Sequence, residues 1–425
     1  MSLKIIRALP ELVDNGIITQ ETAQNITAYY NAQLTKSPNK LFVVFGIIGA
    51  TLVGLGIILI MAHNWDDFPR FVKLILAFLP MLLGQTVLGY SIVKEKSMVW
   101  KEAATVFLFF SVGACIALVS QIYNIPGDLQ SFLLAWIVLC LPLLYVTKSK
   151  AALFLHLIFC TQFVLVSRYA YISDFMSLLY FPLMLAIVPR YLEIIRSKTT
   201  SAAAYVLHWL IPISLMLALP ICIDDNFRIG YLLYMCLFGI FFNIGQLPYF
   251  KNKLTIQNGY KSLGSLGTVI LLIGLSFYDA WDYNGREMSL TMLEVITTSS
   301  ILISACISLL INLKYQKLLE TDIFQSIFII FGIIFLLGIA APATATIFIN
   351  VLVFALGILK IKNGADNYNL GSLNYGMFIV AALIICRFYD TEVSFAIRGL
   401  IFLLIGIGFF ITNYIMLKKQ QTQQS

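Results

Sequence analysis

The sequence predicts an all-α fold: a polytopic membrane bundle of about fourteen spanning helices, N-in and C-in, with a small N-terminal cytosolic helical hairpin. Three observations predict it. Of the 425 residues, 60% are hydrophobic and only 12% are charged, with a mean hydropathy of +0.89. Soluble domains carry about 25% charged residues, and a soluble chain this apolar would expose too much hydrocarbon to stay dispersed. The apolar residues also fall into blocks near the length a spanning helix needs, about 20 residues. Between the blocks, Lys and Arg gather at alternate junctions.

Residues 1–40 read as the cytosolic hairpin. Leu3, Ile6, Leu9, Leu12 and Val13 recur at helical spacing. Gly16 suits the C-cap of a first helix and Thr19 the N-cap of a second, which carries Ala23, Ile26 and Tyr30. Ser37-Pro38 then breaks the pattern. The bundle occupies 41–417, and 418–425 form a cytosolic tail.

Spans are expected at 41–62, 71–93, 103–125, 129–147, 151–167, 175–189, 202–222, 229–246, 262–278, 290–312, 323–340, 342–359, 370–386 and 395–417. In hydrocarbon only helices or closed barrels satisfy the backbone. A barrel needs alternating segments of about ten residues, and these blocks do not alternate. The first block starts near Leu41 after a polar stretch and is too long for a signal h-region, so no cleavable signal peptide is expected.

The basic residues orient the map. The N-terminal segment, every second junction and the tail hold 21 Lys and Arg, among them Lys94, Lys96, Lys148, Arg190, Lys251, Lys253, Lys261, Lys314, Lys360 and Lys362. The opposite junctions hold 5: Arg70, Arg168, Arg228, Arg286 and Arg387. Positive-inside sorting predicts this alternation for an N-in, C-in chain. A missed or invented span would invert the order beyond it.

The same distribution accounts for the net charge of +7 without nucleic acid as a partner. The seven cysteines lie in or beside apolar blocks, with no C-x-x-C and no zinc spacing, and read as packing residues. Cys222 and Cys386 both fall near outer span ends, so a disulfide between them is open, with nothing further in the sequence to support it. No P-loop, H-E-x-x-H or G-x-S-x-G motif occurs. No cofactor, metal or catalytic residue is expected, and the loops are too short to hold a catalytic domain.

Polar chemistry concentrates at the outer span ends. The first span closes in His63, Asn64, Trp65, Asp66 and Asp67; later ones close in Phe277-Tyr278-Asp279 and in Arg387-Phe388-Tyr389-Asp390. Together His63, Asn64, Trp65, Asp66, Asp67, Asp279, Arg387 and Asp390 form a candidate outer rim, acidic and aromatic, suited to a ligand or cation. Interfacial anchoring by aromatics and exclusion of Lys and Arg from outer loops produce a similar pattern.

An internal duplication is a further expectation, around 262–282 and 370–392. Leu263-Gly264-Ser265-Leu266 recurs as Leu370-Gly371-Ser372-Leu373, and each opens a span ending in Phe-Tyr-Asp. Transporters are often built from such repeats. Ionisable groups within spans are few: His156, His208, Glu294, Lys73 and Arg398. The histidines read as hydrogen-bonded packing residues, Glu294 as shallow, and Lys73 and Arg398 as snorkelling. Gln85, Gln121, Gln162, Asn243 and Asn350 are expected to bond between helices.

Two stretches carry a resemblance: Glu11 to Ile26 (E-L-V-D-N-G-I-I-T-Q-E-T-A-Q-N-I) and Gly49 to Asp67 (G-A-T-L-V-G-L-G-I-I-L-I-M-A-H-N-W-D-D). With Ser120 to Asn124 and Trp136 to Pro142, they resemble the bacterial domain of unknown function 2157 family of polytopic membrane proteins, over about residues 1–145. The resemblance implies an inner-membrane protein and no particular activity. Three functions compete: a transporter or permease-like protein for a small solute or lipid; a scaffold or sensor whose hairpin binds a protein partner; and an intramembrane enzyme using the outer rim on a lipid-linked substrate. The lipid bilayer is the certain partner, and the sequence leaves the oligomeric state open.

Overall fold

The computed structural model describes residues 2–35, 65–169, 175–196, 202–223, 227–251, 253–281, 290–315 and 322–390, with isolated positions between 400 and 414. Every regular element among them is helical, and none is a strand. The α-helices are α1 (Ser2–Asp14), α2 (Gln20–Thr35), α3 (Arg70–Val93), α4 (Met98–Tyr123), α5 (Leu129–Val146), α6 (Lys150–Tyr169), α7 (Tyr180–Leu185), α8 (Val188–Arg196), α9 (Ala202–Ala218), α10 (Phe227–Gly245), α11 (Gly259–Gly274), α12 (Met292–Tyr315), α13 (Ile327–Ala340), α14 (Pro342–Asp366) and α15 (Leu370–Asp390).

Among the described residues, ten segments are long and apolar enough to cross a membrane, and α11 and α13 are shorter apolar helices. The expected span at 41–62 lies outside the described residues, as does most of 395–417. Large apolar side chains face outward along these helices, such as Ile303 at 58% and Leu336 at 68% exposure. A bilayer, not water, is the solvent that tolerates such a surface.

The chain divides into two compact units, residues 1–77 and 78–425. In the first, α1 and α2 form the hairpin. Gly16 takes a φ of +67°, and its N–H closes the α1 turn on Val13 O at 2.9 Å. Thr19 Oγ1 accepts from Thr22 N at 3.3 Å, capping α2.

In the second unit, α5, α6, α7 and α9 enclose one core around Ile137, Phe163, Tyr180 and Leu207. Trp136 ties α5 to α4, its Nε1–H donating to Phe109 O at 2.8 Å. Glu102 on α4 caps α6 by accepting from Lys150 N at 2.8 Å, Ala151 N at 2.9 Å and the Ser149 hydroxyl. A carboxylate suits the positive end of a helix. The span expected at 175–189 is broken into a 3-10 turn (Phe175–Leu179), α7 and α8. Pro182 and Pro189 account for the break, since neither can donate a backbone N–H.

A second core joins α10 to α15 around Phe242, Leu272, Phe328, Phe331 and Ile379. Here two helical hairpins, α10–α11 and α14–α15, pack through glycines. A Cβ on Gly264 would meet Phe242 N at 2.6 Å, and one on Gly376 would meet Ile361 N at 2.6 Å. Only glycine allows backbones so close, a recurrent device between membrane helices.

The helices carrying the matched motifs, α11 and α15, share one register. Asn258 caps α11 by accepting from Lys261 N at 3.1 Å, and Asn369 caps α15 by accepting from Ser372 N at 3.1 Å. Each capping asparagine lies 19 residues before the Phe of its Phe-Tyr-Asp. Against that register the L-G-S-L copies are one helical turn apart: Ser265 is seven residues past its cap and Ser372 three.

Candidate functional site

A candidate site lies at the lysine-bearing end of the second unit. A half-open cavity of about 960 Å³ sits between the two glycine-packed hairpins. Its walls come from the C-terminal turns of α10, α12 and α14, the first turns of α11 and α15, and the connections at 246–258 and 322. Lys251, Lys253, Lys261 and Lys360 line it, against the single carboxylate of Asp322. No arginine or histidine is among the lining residues.

The floor is aromatic: Phe242 and Tyr375 line it, and the fully buried Phe324 packs against Phe242. Phe242 stacks on Phe324 with centroids 5.4 Å apart, and Phe324 meets Tyr375 at 6.4 Å. Two ammonium groups share this floor. Lys261 Nζ lies 5.8 Å and Lys360 Nζ 5.9 Å from the Phe242 centroid, and Lys360 Nζ is 5.0 Å from that of Phe324. Ring faces attract cations, more strongly where water is excluded. Lys360 also forms an ion pair with Asp322, and both side chains are mostly buried. Lys261 is half-buried and feels the charges of both Asp322 and Lys360.

The walls are polar above that floor. Ser265 Oγ donates to Tyr375 Oη at 2.8 Å, joining α11 to α15. Asn258 Nδ2 donates to Gly245 O at 2.8 Å and so pins the α10–α11 connection. Lys253 Nζ lies 4.5 Å from the Tyr249 ring and 5.3 Å from that of Tyr205. Tyr249 stands outside the spans, and burial pushes its phenol above the ordinary value, so it stays neutral beside Lys253. Next to the floor, Asn243 donates to Gln325 O at 3.0 Å and Asn312 donates to Asn243 O at 2.8 Å, all three side chains being buried.

The residues singled out at the outer span ends are distributed as follows. His63 and Asn64 lie outside the described residues. In the first unit, Lys73 folds back onto the N-W-D-D segment: its Nζ is 5.8 Å from the Trp65 centroid and 3.5 Å from Asp66 O. Asp66 and Asp67 are exposed. In the second unit, Arg387 Nη2 donates to Ser276 Oγ at 3.1 Å and its guanidinium lies 4.5 Å from the Phe277 centroid. Asp279 is exposed in the turn just beyond, and Asp390 is the last residue of α15. Arg387 therefore joins the two Phe-Tyr-Asp ends at the far end of α11 and α15.

The histidines and Asn350 singled out within spans have structural partners. His156 Nε2 donates to Leu183 O at 2.9 Å, and His208 Nδ1 to Gln257 O at 2.9 Å. Asn350 donates to Ser276 O at 2.9 Å, which makes it an inter-helix link like Asn243. Gln85, Gln121 and Gln162 are exposed instead. Glu294, in the first turn of α12, is 1% exposed, and its carboxylate accepts from Thr291 N at 3.0 Å, capping the helix. All seven cysteines are free. Among the described residues no group of three His, Cys, Asp or Glu could hold a metal ion.

Residues 10–153 match the family model described as a predicted membrane protein (DUF2157), in agreement with the resemblance read over about the first 145 residues. No curated protein and no solved structure matches the chain. The cavity at 242–375 lies wholly beyond the matched segment.

Proposed function

We propose that this multi-pass membrane protein is permease-like and admits a small solute or lipid headgroup through the lysine-lined cavity. In this reading the cavity lies at the cytoplasmic face, with both termini cytoplasmic and the chain in a bacterial inner membrane; the alternation of basic junctions supports the orientation. The carrying observation is the cavity itself, about 960 Å³, within the range of small-molecule sites. It sits between two helical hairpins, α10–α11 and α14–α15, as sites between repeated elements of transporters do. An internal duplication spanning these hairpins is part of the proposal.

Polar groups bracket α11 and α15 at both ends. Lys261, Ser265 and Tyr375 stand at one end, and Ser276, Asn350 and Arg387 at the other. Between them Val269, Leu272, Ile379 and Leu383 are buried in the apolar core. We read this as a state open to one side and sealed toward the other. The outer cluster of Asp279, Arg387 and Asp390 would then be the second mouth, with His63, Asn64, Trp65, Asp66 and Asp67 as further outer-rim candidates.

Flux of labelled small solutes into proteoliposomes tests the proposal. Saturable, protein-dependent flux that falls when Ser262→Trp fills the cavity supports it. Absence of saturable flux for every solute, with the hairpin retaining a cytosolic protein, would favour the scaffold or sensor function.

A further inference from the structure

We infer that the cavity ligand carries a phosphate group, held by the ammonium groups of Lys261 and Lys360 in competition with Asp322. The inference rests on the cavity being the site of admission, and it names the chemistry admitted. Four lysines and one aspartate line the space, an excess of three positive charges that calls for a multivalent anion. Lysine binds phosphate as a compact point charge with three donors, and all four cations of the lining are lysines.

Two further features match a tetrahedral oxyanion. The first turns of α11 and α15 both border the cavity, and the positive ends of their dipoles favour an anion there, while the N–H groups of Lys261 and Ser372 are already taken by the capping side chains of Asn258 and Asn369. Ser262 and Ser372 also line the cavity there, their hydroxyls donating to Thr255 O at 3.4 Å and to Lys360 O at 3.5 Å. The two inner ammonium groups are also held in place before any ligand arrives, both within 6 Å of the Phe242 centroid.

Asp322 is then an internal stand-in for the ligand. It pairs with Lys360 and accepts from Phe324 N at 3.3 Å. An arriving phosphate takes over the Lys360 ammonium, and the carboxylate is left facing a dianion. Removing that carboxylate while keeping its cap on Phe324, as Asp322→Asn does, therefore favours the ligand.

The test titrates the full-length protein, in phosphatidylcholine nanodiscs, with inorganic phosphate at constant ionic strength, using chloride as control. A second arm places the protein in phosphatidylglycerol nanodiscs. Saturable phosphate binding with no effect of phosphatidylglycerol identifies a free phosphate compound as the source. A rise in thermal midpoint in phosphatidylglycerol, with loss of phosphate binding, identifies a lipid headgroup. Lys261→Gln should weaken the response about tenfold or more, and Asp322→Asn should strengthen it several-fold, an outcome that misfolding does not produce. The inference is overturned if neither arm responds, or if Asp322→Asn leaves binding unchanged or weaker. Phosphate binding without flux would refute the permease and keep the ligand class; saturable flux of neutral solutes without phosphate binding would do the reverse.

Discussion

Ser265 and Tyr375 are 110 positions apart in sequence and 2.8 Å apart in the structure, hydroxyl to hydroxyl. Their bond fastens α11 to α15 at the cavity wall, as the Arg387–Ser276 bond does at the far end. The pair should behave as one unit. Ser265→Ala and Tyr375→Phe should each lower stability by about 1 kcal/mol, and the double variant should cost less than the sum. Thermal or denaturant melts arranged as a double-mutant cycle measure the coupling.

The α14–α15 hairpin depends on Gly376. A methyl there would fall 2.6 Å from Ile361 N and 2.7 Å from Gly357 O, both backbone atoms that cannot step aside. Gly376→Ala should cost about 1–3 kcal/mol and push apart the helices that carry Lys360 and Ser372. A melt combined with the phosphate titration should show both losses together.

Much of the fold was legible in the sequence because hydropathy and charge are local signals. Apart from the block at 175–189, the apolar blocks from 71 to 386 fall on helices, though α14 runs on past 359 to Asp366, and Gly16 and Thr19 cap the hairpin as their side chains suggest. The break at 175–196 was harder to read, since Pro182 and Pro189 sit in an otherwise continuous apolar run. The cavity was not legible at all. Lys261 and Lys360 count as loop charges in the sequence, and nothing local shows that Lys360 is 9% exposed on the Phe242–Phe324 floor. The repeated L-G-S-L pointed to the right two helices, though its copies stand one turn apart.

Glu102, the one carboxylate on α4, should be sensitive to substitution. It accepts from two backbone N–H groups and a hydroxyl at the start of α6. Glu102→Ala leaves those donors without their cap and should destabilise by about 1–3 kcal/mol. Glu102→Gln, with one acceptor oxygen, should lie between it and the wild type in a thermal melt.

Asp128 provides a pH signature. Hydrogen bonds from the Ser131 backbone and hydroxyl hold its carboxyl below the ordinary aspartate value. Its folded pKa is depressed, so its contribution is present above the unfolded pKa, about 3.9, and is lost as pH falls through the folded value. Asp128→Ala should cost about 1 kcal/mol at neutral pH, the usual worth of an N-cap. The gap between variant and wild type should close as the pH is lowered below 4.

Orientation follows from the basic junctions and can be read independently of any ligand. Reporter fusions at Lys96, Lys198 and Lys362 should report the cytoplasm, and those at Asp128, Asp225 and Asp282 the outside. A cytoplasmic signal at Asp225 would reverse the assignment from the middle of the chain onward.

The central claim is that the lysine-lined cavity opens to the cytoplasm and takes a phosphate-bearing ligand. Asn367 lines it and is exposed, so Asn367→Cys, in a chain with Cys306 and Cys386 replaced by alanine, reports on it directly. A membrane-impermeant thiol reagent should label this cysteine in inside-out vesicles and not in right-side-out ones, and inorganic phosphate should slow the labelling. Labelling from the outer face, or a rate that phosphate does not change in vesicles free of anionic lipid, would contradict the claim.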